Sequence, residues 1–172
     1  MPPRHRGPIL VDTNVILEAH RTRCWKAIAS GYSVETVEAC FEETQTGHRN
    51  RPSTQKINPD ELKNILSAIH QVRNEDLAEL ILKTDIALDY GEQHLWAHAL
   101  NRQGDSKFCG PDTASLRVGI LLGHRDRLVS LEQLLDDIGS QSKGLRPQYQ
   151  RKWHRKTIND LMVDMSLSAP RR

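Results

Sequence analysis

Short apolar runs recur along this chain, each followed by a segment with helical spacing, and that alternation restricts the fold more than any other feature. Ile9-Leu10-Val11 reads as a buried strand, followed by helix from Asn14 to about Arg21. Tyr32-Ser33-Val34 is a second strand candidate, followed by helix from about Glu35 to Thr44. Lys107-Phe108-Cys109 reads as a third strand, with Pro111 opening a helix toward Leu122. Arg127-Leu128-Val129 is a fourth, ahead of the helix "SLEQLLDDIG". Strands this short, separated by helices, predict a parallel sheet covered on both faces: an α/β chain built as a three-layer α/β/α sandwich.

The intervening segments fill out that plan. "QTGHRNRPSTQKIN" (45–58) has no periodicity and predicts an exposed basic loop. Asn58 before Pro59 fits a helix cap and first position, and Leu62, Ile65, Leu66 and Ile69 mark one apolar face. With a further helix through Leu77, Leu80 and Ile81, residues 45–85 are expected to form a helical insert. Another helix is expected from about Gly91 to Arg102. Near the end, Ile158, Leu161, Met162 and Met165 make an i, i+3, i+4, i+7 stripe. The expected organisation is therefore a domain over 1–138, with a basic stretch and C-terminal helical extension (139–172) packing on it.

A chain of 172 residues is long enough for one good core and too short for two full domains. Apolar runs such as Gly119 to Leu122 are far below the roughly 18–20 residues that a membrane span needs, so no membrane partner is expected. The opening "MPPRHRGP" lacks an apolar stretch behind it and does not read as a secretory signal. Three cysteines (Cys24, Cys40, Cys109) without Cys-x-x-Cys spacing predict reduced packing thiols in a cytoplasmic protein and exclude a zinc site of that type. His94 and His98 have the spacing of a zinc pair, but Leu95 stands where the catalytic glutamate of H-E-x-x-H belongs. Gly-rich dinucleotide and P-loop motifs and a G-x-S-x-G elbow are absent.

Charge is distributed unevenly. Lys143, Arg146, Arg151, Lys152, Arg155 and Lys156 fall between Ile138 and Asn159 without an acidic residue; the rest of the chain holds 18 basic against 22 acidic residues. A basic stretch beside an acidic body suits a polyanion, and equally suits a solvated tail.

Ligands of parallel α/β sheets collect at the carboxyl ends of the strands. Asp12 follows the first strand, Glu35, Glu38 and Glu42 the second, and Asp112 the third; Glu92 opens a helix whose start can face the same edge. Carboxylates so gathered raise one another's pKa, and a hard cation such as Mg²⁺ or Mn²⁺ relieves the repulsion through oxygen ligands. Each acid also has a structural reading. Asp12 can cap the helix that follows it, Asp89 and Glu92 fit a capping box, Asp112 suits a first helical turn, and Glu38 fits a solvated face with Glu35 and Glu42.

The same segments carry a family likeness. "ILVDTNVIL" resembles the opening strand and turn of PIN-domain nucleases. "SVETVEACFEET" resembles their second acidic segment, with Glu38 as the matching acid and Glu42 as the alternative. "LDYGEQHLWAHAL" resembles the third, with Glu92 where many members have Asp, and "KFCGPDTASLRVGILLG" the fourth, with Asp112. The likeness spans residues 9 to about 138 in the expected order. It implies a PIN-like fold and a metal-dependent endoribonuclease of the kind found as toxins of toxin–antitoxin pairs. In that scheme Asp12, Glu38, Glu92 and Asp112 hold Mg²⁺ or Mn²⁺ and are catalytic, with Thr13 and Asn14 orienting ligands behind them. RNA is the implied substrate, guided by Arg151, Lys152, Arg155 and Lys156, with Trp153 or Tyr149 stacking on a base; an antitoxin protein and a second copy of the chain are implied partners. Two rivals stand beside this expectation. A dehalogenase-like phosphatase wants a second carboxylate two residues after the first, where this chain has Asn14. A PIN-like module without catalysis, binding RNA or protein, would keep the same charged surface.

Overall fold

The structure, a computed structural model, describes residues 4–47, 50–102, 104–141 and 143–169. Four strands, β1 (Ile9–Val11), β2 (Val34–Val37), β3 (Ala68–His70) and β4 (Lys107–Cys109), form one sheet in the order β3-β2-β1-β4. Every pairing is parallel, with Leu10 opposite Glu35 on one side and Phe108 on the other. β1 is fully buried because it is central and covered twice; Ile9 and Val11 enter one core layer and Leu10 the other, as strand alternation requires. The α/β/α sandwich expected from the alternation is the fold.

The first layer packs α1 (Thr13–Arg21), α2 (Trp25–Gly31), α4 (Pro59–Ile65) and α8 (Leu131–Asp137) on the sheet through Val15, Ile16, Trp25, Ile28, Leu62 and Leu134. The second packs α3 (Glu38–Gln45), α5 (Asn74–Lys83), α6 (Tyr90–Asn101), α7 (Thr113–Leu121) and α9 (Arg151–Ser168) through Cys40, Leu80, Trp96, Leu116 and Ile158. Trp96 stacks on Phe108 at 4.2 Å between ring centroids and donates its indole N–H to Ser115 Oγ (2.7 Å), fastening α6 to β4 and α7. All three cysteines are free and buried, as expected.

Four sequence expectations need correction. The second strand begins at Val34: Tyr32 already closes α2, with its hydroxyl donating to Leu134 O (2.6 Å). Glu35 consequently lies inside β2, and α3 starts three residues later than the helical spacing suggested. The 45–85 segment is not purely helical, because Ile69 belongs to edge strand β3 instead of continuing the face of α4. The fourth strand reduces to a single parallel bridge between Phe108 and Leu128. Residues 48 and 49 of the expected loop lie outside the described residues.

The C-terminal extension is docked firmly. Arg21 donates to Gly144 O (2.6 Å), the Arg146 backbone N–H donates to Glu18 Oε1 (2.9 Å), and the Tyr149 hydroxyl donates to Asn14 O (3.3 Å). Beyond these links α9 packs on α7 and α8. Among the described residues, no helix is long and apolar enough to cross a membrane.

Candidate active site

Three helices begin at the carboxyl edge of the sheet, each capped by an acid. Asp12 directly follows β1, and its Oδ1 accepts the Val15 N–H (3.0 Å) at the start of α1. Asp112, three residues beyond β4, accepts from Ala114 N–H (2.8 Å) and Ser115 N–H (3.2 Å) on α7 through the same Oδ1. Asp89 caps α6 reciprocally with Glu92: Asp89 Oδ1 accepts the Glu92 N–H (2.8 Å) and Glu92 Oε2 accepts the Asp89 N–H (3.2 Å). The structural readings of these acids are thus realised.

Capping occupies only half of each carboxylate. Asp12 Oδ2, Asp89 Oδ2, Glu92 Oε1 and Asp112 Oδ2 have no hydrogen-bond partner among the described residues. Gly110 lies against the free Asp12 oxygen: a Cβ at that position would sit 3.1 Å from Oδ2, so a larger residue would crowd the site. The N-terminal dipoles of three helices favour negative charge here.

Electrostatics binds the acids into one group. Burial, opposed by the Val15 and Asn14 N–H groups and reinforced by the charges of Asp89 and Glu43, pushes the Asp12 carboxyl up to about 7. Burial, then the charges of Asp112 and Asp89, pushes Glu92 up to about 8, with Asp12 adding to the effect. Both acids are almost fully buried, at 4% and 5% exposure. Two carboxyls that hold protons near neutrality are poised to ionise when a positive charge arrives.

The second acidic segment is placed differently from expectation. Glu38 and Glu42 lie on the exposed face of α3, turned to a neighbouring cleft, and neither figures among the charges acting on Asp12 or Glu92. Glu43 is the acid of α3 that reaches the group. Its Oε2 accepts from Thr13 Oγ1 (2.6 Å) and its Oε1 from the Gly91 N–H (3.0 Å), tying α1 to the first turn of α6. Thr13 therefore holds the Glu43 carboxylate, whereas Asn14 is exposed. Starting α3 at Glu38 would have pointed to Glu43, since residue 43 then follows the buried Ala39 and Cys40 by four and three positions.

No three of Asp12, Glu43, Asp89, Glu92 and Asp112 bring ligand atoms within 4.8 Å of one another; among the described residues only Glu35, His70 and His98 do so. Glu35 is the hub of a strut between β2, β3 and α6, hydrogen-bonded to His70 and ion-paired with Arg102. Burial raises the Glu35 carboxyl, but hydrogen bonds from His70 (2.7 Å) and Arg102 outweigh it and hold the group below its ordinary value. His70 and His98 are stacked, 4.0 Å apart and 18° from parallel. Imidazole lone pairs lie in the ring plane, so two near-parallel rings cannot both aim at one ion. Arg102 already supplies the positive charge.

The basic stretch borders an open groove of about 600 Å³ along α9, lined by Arg151, Lys152, Arg155 and Lys156 together with Glu132, Asn159 and Asp160. Arg151 pairs with Asp136 (3.1 Å) and Lys156 with Asp160, leaving Lys152 and Arg155 without an ion-pair partner among the described residues. Tyr149 is buried and unable to stack on a base, and Trp153 is packed partly against the core. Tyr149 and His154 share a small cavity with Val15, Gly110 and Pro111, so the start of α9 lies directly behind the loop that delivers Asp112. Comparison of the chain with protein-family models, with curated proteins and with solved structures finds no match.

Proposed function

We propose that this chain is a metal-dependent endoribonuclease of PIN type, a cytoplasmic hydrolase of RNA phosphodiester bonds. The observation that carries the proposal is the set of four half-used carboxylates at the strand ends, two of them buried and held protonated near neutrality. Asp12, Glu92 and Asp112 keep their expected roles as ligands, Asp89 joins them, and Glu43 replaces Glu38 as the acid that braces the site. Hard oxygen donors select Mg²⁺ or Mn²⁺ over softer metals. The donors are spread more widely than a closed all-protein cage, which fits an ion that keeps part of its water shell for a phosphate. When bound, such an ion supplies positive charge that acidifies water and offsets the charge of the scissile phosphate. The protein's own contribution is to fix the donors on three helix starts, and the α9 groove supplies phosphate contacts that position RNA without reading its sequence. In this reading an antitoxin or a second copy of the chain would regulate access.

The capping roles of Asp12, Asp89, Glu92 and Asp112 favour one alternative, a module that binds RNA without cutting it. Cleavage separates the two. With end-blocked single-stranded RNA and millimolar Mn²⁺, the wild type should cut internally, and Asp12→Asn and Glu92→Gln should each lower the rate at least about 100-fold, the scale expected for lost transition-state charge stabilisation. A wild-type protein that binds this RNA yet leaves it intact establishes the alternative.

A further inference from the structure

Beside the acids lies a cleft of about 450 Å³ that the proposed hydrolysis does not use. One wall is the first turn of α6, where Tyr90 stands 58% exposed between Asp89 and Gly91. Its ring lies 4.2 Å from that of His94, and the His94 Nδ1 is 2.8 Å from Tyr90 O, so the pair forms a supported aromatic wall. The opposite wall is the outer face of α3, with Glu38 and Glu42 one turn apart; His70 and Arg73, at and beyond the end of β3, close the third side.

The chemistry of this lining is selective. Neither Glu38 nor Glu42 accepts a hydrogen bond from any described residue. A glutamate carboxylate can only accept. Carboxylates repel a phosphate, so the cleft suits the uncharged part of a nucleotide. An exposed tyrosine ring offers the face on which an unstacked base rests. Among the four RNA bases, guanine alone presents two adjacent donors, N1–H and the 2-amino group, on its Watson–Crick edge. A carboxylate presents two acceptors side by side and matches that edge in a bidentate pair.

We infer that the cleft between α3 and the start of α6 is a base-recognition subsite that takes guanine, stacked on Tyr90 and read by the Glu38–Glu42 pair. The inference rests on the chain being an RNA-handling protein and adds specificity to it. Tyr90 directly follows the cap residue Asp89 and His70 ends β3, so the cleft borders the carboxyl edge of the sheet at which Asp12 and Glu92 lie. This gives Glu38 a purpose different from the metal ligation expected from sequence: it selects the nucleotide to be cut beside.

The test uses uridine tetranucleotides in which one residue is guanosine, inosine, adenosine or cytidine, bound to the full chain in EDTA so that nothing is cleaved. The guanosine tetramer should bind at least about tenfold more tightly than the adenosine, cytidine or all-uridine tetramers, and inosine, which lacks the 2-amino group, should lose most of that gain. Glu38→Gln with Glu42→Gln should abolish the preference. Tyr90→Ala should weaken guanosine binding by roughly 5- to 150-fold, the range of a lost stacking contact, while Tyr90→Phe retains it. Equal binding of all tetramers, no measurable binding of any, or wild-type affinity in Tyr90→Ala overturns the inference. Manganese-dependent cleavage without a guanine preference removes this subsite and leaves the proposed activity standing; a guanine preference in a protein that never cleaves does the reverse.

Discussion

Asp12 divides its duties between two oxygens, one holding the first turn of α1 and the other left at the strand end. Its position immediately after a buried strand makes the carboxyl costly when ionised without a partner, and its rise to about 7 expresses that cost. The folded pKa lies above the unfolded value of 3.8, so between these values the folded chain binds more protons than the unfolded one. Stability of the metal-free protein should therefore fall as pH rises through this window, and the loss is complete above it. Each pH unit of that window is worth roughly 1.4 kcal/mol, which makes the whole effect on the order of a few kcal/mol. Asparagine caps a helix as well as aspartate does, so Asp12→Asn keeps the turn and removes the charge. In EDTA at pH 8 the variant should melt on the order of 5 °C above wild type, and at pH 4.5 the two should nearly coincide. Thermal melts at both values decide this; a variant less stable at both would mean that the acid acts only as a cap.

At the scale of elements, strands whose buried residues are all apolar are legible from sequence, and a strand that buries polar residues is not. β1 and β4 announce themselves through Ile9-Leu10-Val11 and Phe108-Cys109, and the capping box of α6 through Asp89 and Glu92. β2 contains Glu35 and Thr36, whose burial is made tolerable by partners distant in sequence: His70 and Arg102 for the first, Val11 O for the second. Nothing local signals those partners, so the strand is misplaced, α3 starts too early, and the inward position of Glu43 goes unnoticed. The α9 groove is legible as charge but not as geometry, because the pairing of Arg151 with Asp136 on α8 depends on the fold. Affinity for single-stranded RNA should fall with salt by about 0.7 log units per tenfold for each phosphate contacted. Lys152→Gln with Arg155→Gln should flatten that slope by about 1.4 units, and adding Arg151→Gln and Lys156→Gln by up to about 3 in total. Turnover at saturating RNA should hardly change, since the groove is proposed to position RNA and not to touch the reacting phosphate. Filter binding across a salt series measures this, and an unchanged slope would mean that α9 serves packing or a protein partner.

Across the whole molecule, the fold carries acids from three separate helix starts to one edge of the sheet. Of these acids Asp12 and Glu92 are pushed above the ordinary carboxylate range, so a cation bound at the proposed site would displace their protons. That coupling is measured by calorimetric titration of Mn²⁺ into the wild type at pH 6.5, in two buffers of different ionisation enthalpy. With Asp12 at about 7 and Glu92 at about 8, binding of the ion should release between about one and two protons, and Asp12→Asn should bind more weakly and release fewer. Mn²⁺ binding that releases no protons, or that is the same in wild type and Asp12→Asn, would contradict a shared cation site at the carboxyl edge of the sheet.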